Sequence, residues 1–520
     1  MSYVLVLAGF GCDADGGCCC LTCLFVCSCR FPFVFTFTLR LLSCSVLRLS
    51  RRRSGKLRNG GICAVMPHEA PLQDAAGVER QMSAQGGHVV VTFFTTSFPK
   101  AMPEQSYSVP LDTLPEGLNT LVQSVLAVEG HTFDFILNDE YISTSLHKFL
   151  ARRGISYEEL LNIEYTPALQ AKEGSLLPHD DWVSSVRAPF LGGVELLLTA
   201  SYDHCVRLWD GENCVALGTY HNECVKEVCL HPVRPTTSST DAAALSRKRK
   251  RAAAMEDFMC VSCSKDGSIV AWQFDGSLAQ FTPLGVVKPH IDGVDSVDVS
   301  PGSGEYVASA SWDGTVKVFQ WSQLLDAETP AASKAPLVSF TDHTRPVLSC
   351  RFSATDGPSL LYSAGLDGAV KSLSVERAVL LSNCEGDHPI QGIAVKPAGG
   401  GGDLIITACT DNRARLYDTR EKKIVKTFSG HRQWLYAATW AWRREEGEQG
   451  GSHLFATASE DSTVRVWDLR STSAALLTLD TMHTDGVLDV TYAGGSQIAS
   501  GGKDNKTRSF SLSKGEDGMS

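Results

Sequence analysis

Aspartate, histidine and hydroxyl side chains recur together along the carboxyl-terminal part of this 520-residue chain. Seven aspartates each precede a bulky residue by six positions: Asp203, Asp266, Asp313, Asp367, Asp411, Asp461 and Asp504. A histidine stands upstream of six of them: His221, His290, His343, His388, His431 and His483. Serine, histidine and aspartate are the residues of a hydrolase triad. Seven copies at equal spacing cannot all form one active site, so we interpret the set as structural and predict no enzyme.

Each aspartate lies between two short segments of β character. Runs such as VASASWD and LFATASED precede the aspartate, and alternating runs such as VRLWD and VRVWD follow it. Alternation predicts a half-buried strand, and Asp-Gly or Asp-Asn fits a hairpin turn. The repeat resembles the WD40 repeat, in which four strands form one propeller blade. Leu373, Tyr417 and Phe510 replace the usual tryptophan, which predicts the weakest hydrogen-bond networks in repeats four, five and seven.

The seventh repeat lacks its outer strand, because the chain ends soon after residues 509–513. The segment around Tyr165–Leu177, just before the first repeat, is the obvious supplier of that strand. A ring closed in this way leaves only short, protected strand edges.

Composition limits the function classes. The formal net charge of -11 argues against a broad nucleic-acid-binding surface. Nine of the 18 cysteines lie between Cys12 and Cys63, and the other nine are scattered singly through the repeats. Such scattered cysteines fit buried, reduced thiols.

Residues 1–87 differ from the rest of the chain. They are rich in Cys, Phe and Leu, and they contain no acidic residue from Gly16 to His68. We interpret this leader as disordered or as a mis-extended gene model, with Met66 or Met82 as the natural start. The alternative is a targeting peptide, since such segments are apolar or basic and poor in acidic residues.

Residues 88–168 predict a compact α+β unit. Strands are expected at 89–94, 106–110, 133–139 and 160–165, and helices at 117–129 and 145–154. The longer helix has the apolar stripe Leu118, Leu121, Val122, Val125 and Leu126. The order of these elements is that of the ubiquitin superfold, which would project from the rim of the ring on a short tether.

The phrases FDFILN, TSLHKFL, LNIEYT and DDWVSS occur in this order before the repeats. They resemble the Notchless-like domain of the ribosome-biogenesis WD-repeat proteins of the PeBoW complex. The resemblance covers residues 88–512. The expected fold is an all-β seven-bladed WD40 β-propeller at 169–514, preceded by a small α+β ubiquitin-like domain at 88–168.

The resemblance implies a non-enzymatic assembly factor for the large ribosomal subunit in the nucleus, nucleolus and nucleoplasm. Its expected partners are the block-of-proliferation WD protein, pescadillo, the pre-60S particle and the AAA ATPase midasin. In this family an acidic residue before the last strand of the ubiquitin-like domain completes the metal shell of the midasin MIDAS domain. That residue matches Glu158, with Glu159 as the alternative. The cation, Mg²⁺, would be held by midasin, and no cofactor of the chain's own is expected.

A loop insertion at 234–256 contains five consecutive basic residues: Arg247, Lys248, Arg249, Lys250 and Arg251. The run predicts a nuclear-import signal or a local ribosomal-RNA contact, and the alternative is a solvated loop patch. Further loop insertions are expected at 323–336, 398–402 and 444–452.

A second function class remains open. Arg420 and Arg470, in LYDTR and VWDLR, match the pattern of WD40 substrate receptors of cullin-RING ubiquitin ligases. Receptors of that class do not need the amino-terminal module, which is the feature that discriminates between the two hypotheses.

Overall fold

The computed structural model describes residues 87–514 except 97, 99, 129, 189, 192–193, 232–257, 276–278, 327–329, 332–333, 354–358, 398–401, 442–452, 473 and 494–495. Residues 1–86 of the predicted leader and the basic run at 247–251 therefore lie outside the described residues.

The amino-terminal unit is a five-stranded sheet with two helices. Its elements are β1 (His88–Phe94), β2 (Tyr107–Pro110), α1 (Pro115–Leu126), β3 (Phe133–Leu137), β4 (Glu140–Tyr141), α2 (Leu146–Arg153) and β5 (Leu161–Pro167). The strand order is β2-β1-β5-β3-β4. β1 and β5 are parallel, and the other pairs are antiparallel. The predicted strands and helices are confirmed, whereas the two-residue strand β4 has no periodicity by which it could be predicted.

Alternation along the strands places one face of this sheet against the helices. Val89, Val91 and Phe93 are buried, whereas Val90 and Phe94 between and beyond them are exposed. On α1 the buried residues are spaced by four positions, at Leu118, Val122 and Leu126. These side chains belong to one hydrophobic cluster, which stabilises the unit by burying apolar surface.

Seven further sheets, here called ring sheets one to seven, follow along the described part of the chain. The first contains β7 (Val183–Arg187), β9 (Val194–Ser201), β10 (Cys205–Asp210) and β11 (Asn213–Thr219). The short strand β8 (Phe190–Leu191) pairs with β9. The second contains β12 (Val225–Leu230), β13 (Phe258–Ser264), β14 (Ile269–Asp275) and β15 (Gln280–Val287). The third contains β16 (Val294–Val299), β17 (Tyr306–Ser311), β18 (Val316–Gln320) and β19 (Val338–Phe340); the fourth contains β20 (Val347–Phe352), β21 (Leu360–Gly365), β22 (Val370–Ser374) and β23 (Val379–Cys384). The fifth contains β24 (Ile390–Pro397), β25 (Asp403–Cys409), β26 (Arg413–Asp418) and β27 (Lys423–Ser429); the sixth contains β28 (Leu435–Trp440), β29 (Leu454–Ser459), β30 (Val464–Asp468) and β31 (Leu477–Leu479). The seventh contains β32 (Val487–Tyr492), β33 (Gln497–Gly502), β34 (Lys506–Lys514) and β6 (Leu169–Pro178).

The first strands of these sheets contact one another in cyclic order. β7 contacts β12, each following first strand contacts the next, and β32 contacts β7 again. Antiparallel four-stranded sheets packed in a closed ring fit a β-propeller. The predicted closure is confirmed, because β6 pairs with β34 and supplies the outer strand of the seventh sheet. Only Ala168 separates β5 from β6, so the tether between the amino-terminal unit and the ring is a single residue.

The expected loop at 323–336 is partly helical. α3 (Trp321–Leu325) follows β18 directly. Leu324 is fully buried in the cluster between the second and third ring sheets, and its carbonyl accepts a hydrogen bond of 2.8 Å from the Lys334 ammonium group. Burial of this leucine explains why a segment without long periodicity is ordered into a helical turn.

The nine cysteines among the described residues are free thiols, and four of them, Cys260, Cys263, Cys350 and Cys409, are buried. Burial raises the pKa of the Cys260 and Cys263 thiols well above the ordinary value. Such thiols remain protonated and unreactive, as expected for small core side chains. No helix of the described residues is long and apolar enough to cross a membrane.

Candidate functional site

Glu158 lies in the turn between α2 and β5. α2 ends at Gly154, whose φ of 66° is left-handed. The side chains of Ile155 and Tyr157 then pack against the core of the amino-terminal unit. The Ser156 hydroxyl accepts a hydrogen bond of 3.3 Å from the Glu158 backbone N–H. Two side chains that anchor the turn therefore leave the Glu158 carboxylate exposed to solvent.

An apolar surface lies beside this turn. Leu161 pairs with Val91 at the start of the parallel ladder, and Leu160 and Val90 are the residues that directly precede this pair. Leu160 is 55% exposed and Val90 is 45% exposed. Glu159 is exposed as well. The turn thus presents two exposed carboxylates directly before an exposed leucine.

A second contact joins the amino-terminal unit to the sixth ring sheet. The Tyr141 hydroxyl donates to the Asp468 carboxylate at 3.3 Å, and Arg470 donates to the Tyr141 oxygen at 3.2 Å. The Arg470 guanidinium also lies 5.5 Å from the centre of the Tyr141 ring. Burial and the Asp468 charge raise the pKa of the Tyr141 hydroxyl. The unit is therefore connected to the ring by a one-residue tether and by this side-chain contact.

The recurrent histidines form hydrogen bonds inside the ring sheets. In the sixth sheet the His431 Nε2 atom lies 2.7 Å from the Thr457 hydroxyl, and its Nδ1 atom lies 3.0 Å from Asp461. The Trp467 indole N–H donates to the same Thr457 hydroxyl at 2.9 Å. Similar sets lie around His221, His290, His343 and His483. The repeated Ser, His and Asp residues are therefore buried parts of the framework.

Two family models match the chain. The NLE (NUC135) domain matches residues 89–150, and the WD domain, G-beta repeat, matches residues 171–210, 281–320 and 422–468. The chain therefore combines an NLE domain with WD repeats. The resemblance predicted from the phrases around residues 133–186 is thereby confirmed.

Proteins named Ribosome biogenesis protein WDR12 homolog are similar to this chain over most of its length. The protein from Anopheles gambiae is 28% identical over 82% of this chain and 96% of its own length. The protein from Chlamydomonas reinhardtii is 29% identical, covering 81% of this chain and 97% of its own length. The protein from Nematostella vectensis is 26% identical, with 80% and 98% covered.

The hydrogen-bond networks of this NLE-containing chain differ among the sheets that lack the tryptophan. Sheets four and seven lack the tryptophan, yet their histidine bonds are intact: His343 lies 2.8 Å from Asp367, and His483 lies 3.0 Å from Asp504. In these two sheets the histidine contacts persist, and the hydrogen bond that the indole N–H would donate is absent, so the predicted weakness stays a prediction. In sheet five the prediction is confirmed. The His388 side chain is 47% exposed and 3.7 Å from Asp411.

The first ring sheet contains a histidine that the sequence analysis missed. His179 lies 2.9 Å from the Thr199 hydroxyl, which also accepts a hydrogen bond from the Trp209 indole. Asp203 does not contact this histidine and instead pairs with Arg207 at 2.5 Å. His179 could have been found because it precedes the first aspartate at a distance similar to that of other pairs.

Buried histidines predict acid sensitivity of the ring. Burial lowers the pKa of His179 and of His221 from 6.5 to about 4, and it lowers the pKa values of His290 and His431 as well. In this range the unfolded chain binds more protons than the folded chain, so the free energy of unfolding falls as the pH falls from 6.5 toward 4. Each histidine shifted to about 4 contributes a loss of about 2 kcal/mol at pH 5.

Thermal unfolding at pH 7 and pH 5 checks this expectation. We expect a lower midpoint temperature at pH 5 and a smaller difference between the two pH values in the His221→Gln variant. Equal midpoints at both pH values in the unmodified protein would contradict the assignment of neutral, buried histidines.

A cavity of about 550 Å³ runs along the axis of the ring and is lined by all seven first strands. Its wall contains a network of charged residues from different sheets. Glu227 pairs with Arg187 from the first sheet and with Arg351 from the fourth, at 2.5 Å for the latter. Arg187 also binds Asp489 of the seventh sheet at 2.6 Å. Neighbouring carboxylates raise the pKa values of both arginines. The two arginines in turn hold the pKa of the Glu227 carboxyl below its usual range.

The described residues contain no group of three or more His, Cys, Asp or Glu side chains arranged to hold a metal ion. Arg420 and Arg470, the two arginines of the ligase-receptor hypothesis, bind carboxylates two residues before them, Asp418 and Asp468, at 2.7 and 2.8 Å. Arg470 is further engaged by Tyr141 of the amino-terminal unit. Both arginines are thus engaged within the described structure.

Proposed function

We propose that this protein is a non-enzymatic assembly factor for the large (60S) ribosomal subunit, needed for maturation of its rRNAs. The observation that carries the proposal is the combination of an NLE domain with WD repeats, shared over 80–82% of this chain with ribosome biogenesis proteins. Its place of action would be the nucleus, with the nucleolus and nucleoplasm as the sites of assembly. The basic run at 247–251, outside the described residues, would serve as an import signal or a local RNA contact.

We further infer that the amino-terminal unit, residues 88–168, is a ubiquitin-like domain and that residues 169–514 form a seven-bladed propeller. The strand order β2-β1-β5-β3-β4, with α1 between β2 and β3, supports the first assignment. The seven ring sheets of the described residues and the contact of β32 with β7 support the second. In this scheme the propeller is a scaffold for protein partners, which by family resemblance are the block-of-proliferation WD protein and pescadillo.

The ubiquitin-like domain would act as the handle by which midasin removes the protein from pre-60S particles. Glu158 is suited to this role because its turn is anchored by Ile155 and Tyr157 while its carboxylate is exposed. A divalent cation such as Mg²⁺, held by midasin, favours carboxylate oxygen and could take its last ligand from this side chain. Leu160 and Val90 would add apolar contacts beside the metal. ATP hydrolysis, and therefore the chemistry, belongs to the partner.

Affinity purification tests the assembly-factor proposal. The full chain carries a small carboxyl-terminal tag, is expressed at its normal level, and is recovered from nuclear extract for mass spectrometry and RNA sequencing. We expect proteins of the large subunit and precursor rRNA to be enriched over a tag-only control. Enrichment of a cullin and its adaptor without ribosomal precursors would contradict the proposal and favour the ligase-receptor alternative.

A further inference from the structure

One end of the axial cavity is formed by bulged residues. In each of the seven first strands the pairing with the second strand slips between the first residue and the third. A bulge of this kind changes the direction of the side chain at the extra position. All seven bulged residues line the cavity: Ser184, Lys226, Asp295, Leu348, Gln391, Tyr436 and Leu488. We call this end of the cavity, with the loops around it, the mouth.

Aromatic rings surround the mouth. Trp182, Trp312 and Trp434 are 38%, 45% and 53% exposed. The Trp182 ring lies 5.4 Å from the Tyr202 ring, and the Lys503 ammonium group lies 5.1 Å from the centre of the Trp182 ring. Large exposed aromatic residues around a cavity are typical of the energetically dominant part of a protein-binding surface.

The loops at the mouth are acidic. These seven loops lead from the outer strand of one ring sheet to the first strand of the next, and their ends bind the turn aspartates, as the Arg432 N–H binds Asp461 at 2.9 Å. Their exposed acidic residues are Asp180, Asp181, Glu223, Asp292, Asp342, Glu385, Asp387, Asp480 and Asp485. Their exposed lysines and arginines are Lys288, Arg345 and Arg432. Such an excess of carboxylates repels the phosphates of a nucleic acid and attracts a basic protein segment.

Asp295 offers an open acceptor at this mouth. Its Oδ2 atom accepts a hydrogen bond of 2.7 Å from the Trp312 indole. Its Oδ1 atom is buried and accepts no hydrogen bond from the described residues. The Lys226 ammonium group forms an ion pair with this atom at 3.7 Å, which is longer than a hydrogen bond, and donates to the Tyr202 hydroxyl at 2.9 Å. A buried carboxylate oxygen without a donor is costly, so a ligand that supplies the donor gains free energy on binding.

We propose that the mouth binds a basic segment of a partner protein, with an arginine that stacks on Trp312 and pairs with the carboxylate of Asp295, whose side chain is 14% exposed. A guanidinium fits both contacts at once, because it is planar, stacks on aromatic rings and bonds carboxylates through a rigid fork of donors. The inference rests on the proposed scaffold role of the ring and adds the chemistry of the partner. It does not depend on which particle that partner belongs to.

Fluorescence anisotropy with the purified full chain tests the proposal. The probe is a labelled 12-residue peptide of repeating Gly-Arg-Ser, compared with the same peptide in which citrulline replaces each arginine. We expect saturable binding of the arginine peptide in about 0.15 M salt, where exposed charges beyond about 8 Å are screened. We expect at least tenfold weaker binding of the citrulline peptide.

Variants locate the site. Asp295→Asn and Trp312→Ala are each expected to weaken arginine-peptide binding at least tenfold, and Trp312→Phe is expected to weaken it less. Glu376→Gln removes an exposed carboxylate in the turn between β22 and β23, which is not one of the mouth loops. This variant is expected to leave peptide binding unchanged. Equal binding of both peptides, or unaltered binding by Asp295→Asn and Trp312→Ala with an unchanged midpoint of unfolding, would overturn the proposal.

A labelled 12-nucleotide single-stranded RNA tests the alternative that the mouth binds nucleic acid. Tighter binding of this RNA than of the arginine peptide, with loss of RNA binding in Trp312→Ala, would also overturn the proposal in favour of nucleic acid. Failure of the scaffold role is distinguishable, because it appears as loss of pre-60S components from the affinity purification and not as a change in peptide binding.

Discussion

The Glu227→Ala variant is expected to unfold with a free energy about 3 kcal/mol lower than that of the unmodified protein. Glu227 joins its own ring sheet to three others, since it binds Arg187, Arg351 and the backbone N–H of Val297 at 3.0 Å. Its removal leaves the Arg351 guanidinium without its closest carboxylate inside the cavity wall. The expected loss of stability is at the lower end of the range for broken buried ion pairs, because Arg187 retains its ion pair with Asp489.

Urea unfolding followed by tryptophan fluorescence measures this loss. Glu376→Ala is the matched control, because it removes an exposed glutamate that is outside the network and is expected to change stability by less than about 0.5 kcal/mol. A Glu227→Ala variant as stable as this control would show that the charged network does not hold the sheets together.

Local patterns were sufficient to predict the ring, whereas the network inside it could not be predicted. Strand alternation and turn residues act within a few positions, and they specify β33 and β34 as clearly as β9 and β10. Glu227 is 40 residues from Arg187 and 124 residues from Arg351 in the sequence, and Arg187 is 302 residues from Asp489. These side chains come together only when the ring closes. A single sequence contains no pattern that indicates which charged residues then form pairs.

The contact between the amino-terminal unit and the ring was unpredictable for the same reason. Tyr141 lies in a two-residue strand, and it meets Asp468 and Arg470 across separations of 327 and 329 residues. The sequence around Arg470 indicates only a resemblance to ligase receptors. Its role in the structure depends on the direction in which β5 continues into β6, which no repeat pattern specifies.

The position of Glu158 illustrates what sequence can supply. Gly154 ends α2 as expected from its lack of a side chain, and the apolar alternation of LLNIEY begins β5 soon after. The length of the connection was therefore predictable. The anchoring of Ile155 and Tyr157, after which the two carboxylates of the turn are exposed, depends on packing and became visible only in the structure.

Glu158→Ala is expected to block release of the protein from pre-60S particles while leaving folding and particle binding intact. The side chain is exposed and accepts no hydrogen bond that holds the turn, so its loss removes no core contact. In the proposed complex the same change removes a charged ligand from the midasin-bound cation. Loss of such an interaction costs more than about 1.4 kcal/mol, which corresponds to release slowed roughly tenfold or more. Glu158→Asp is also expected to impair release, because the shorter side chain does not reach the metal comfortably.

The most direct test measures the rate at which the tagged protein leaves isolated pre-60S particles after addition of midasin, Mg²⁺ and ATP. Glu159→Ala is the matched control, since it removes the neighbouring exposed carboxylate from the same turn. The account predicts release at the normal rate for Glu159→Ala and strongly slowed release for Glu158→Ala, with equal amounts of both variants on the particles at the start. Normal release of the Glu158→Ala variant would contradict the account.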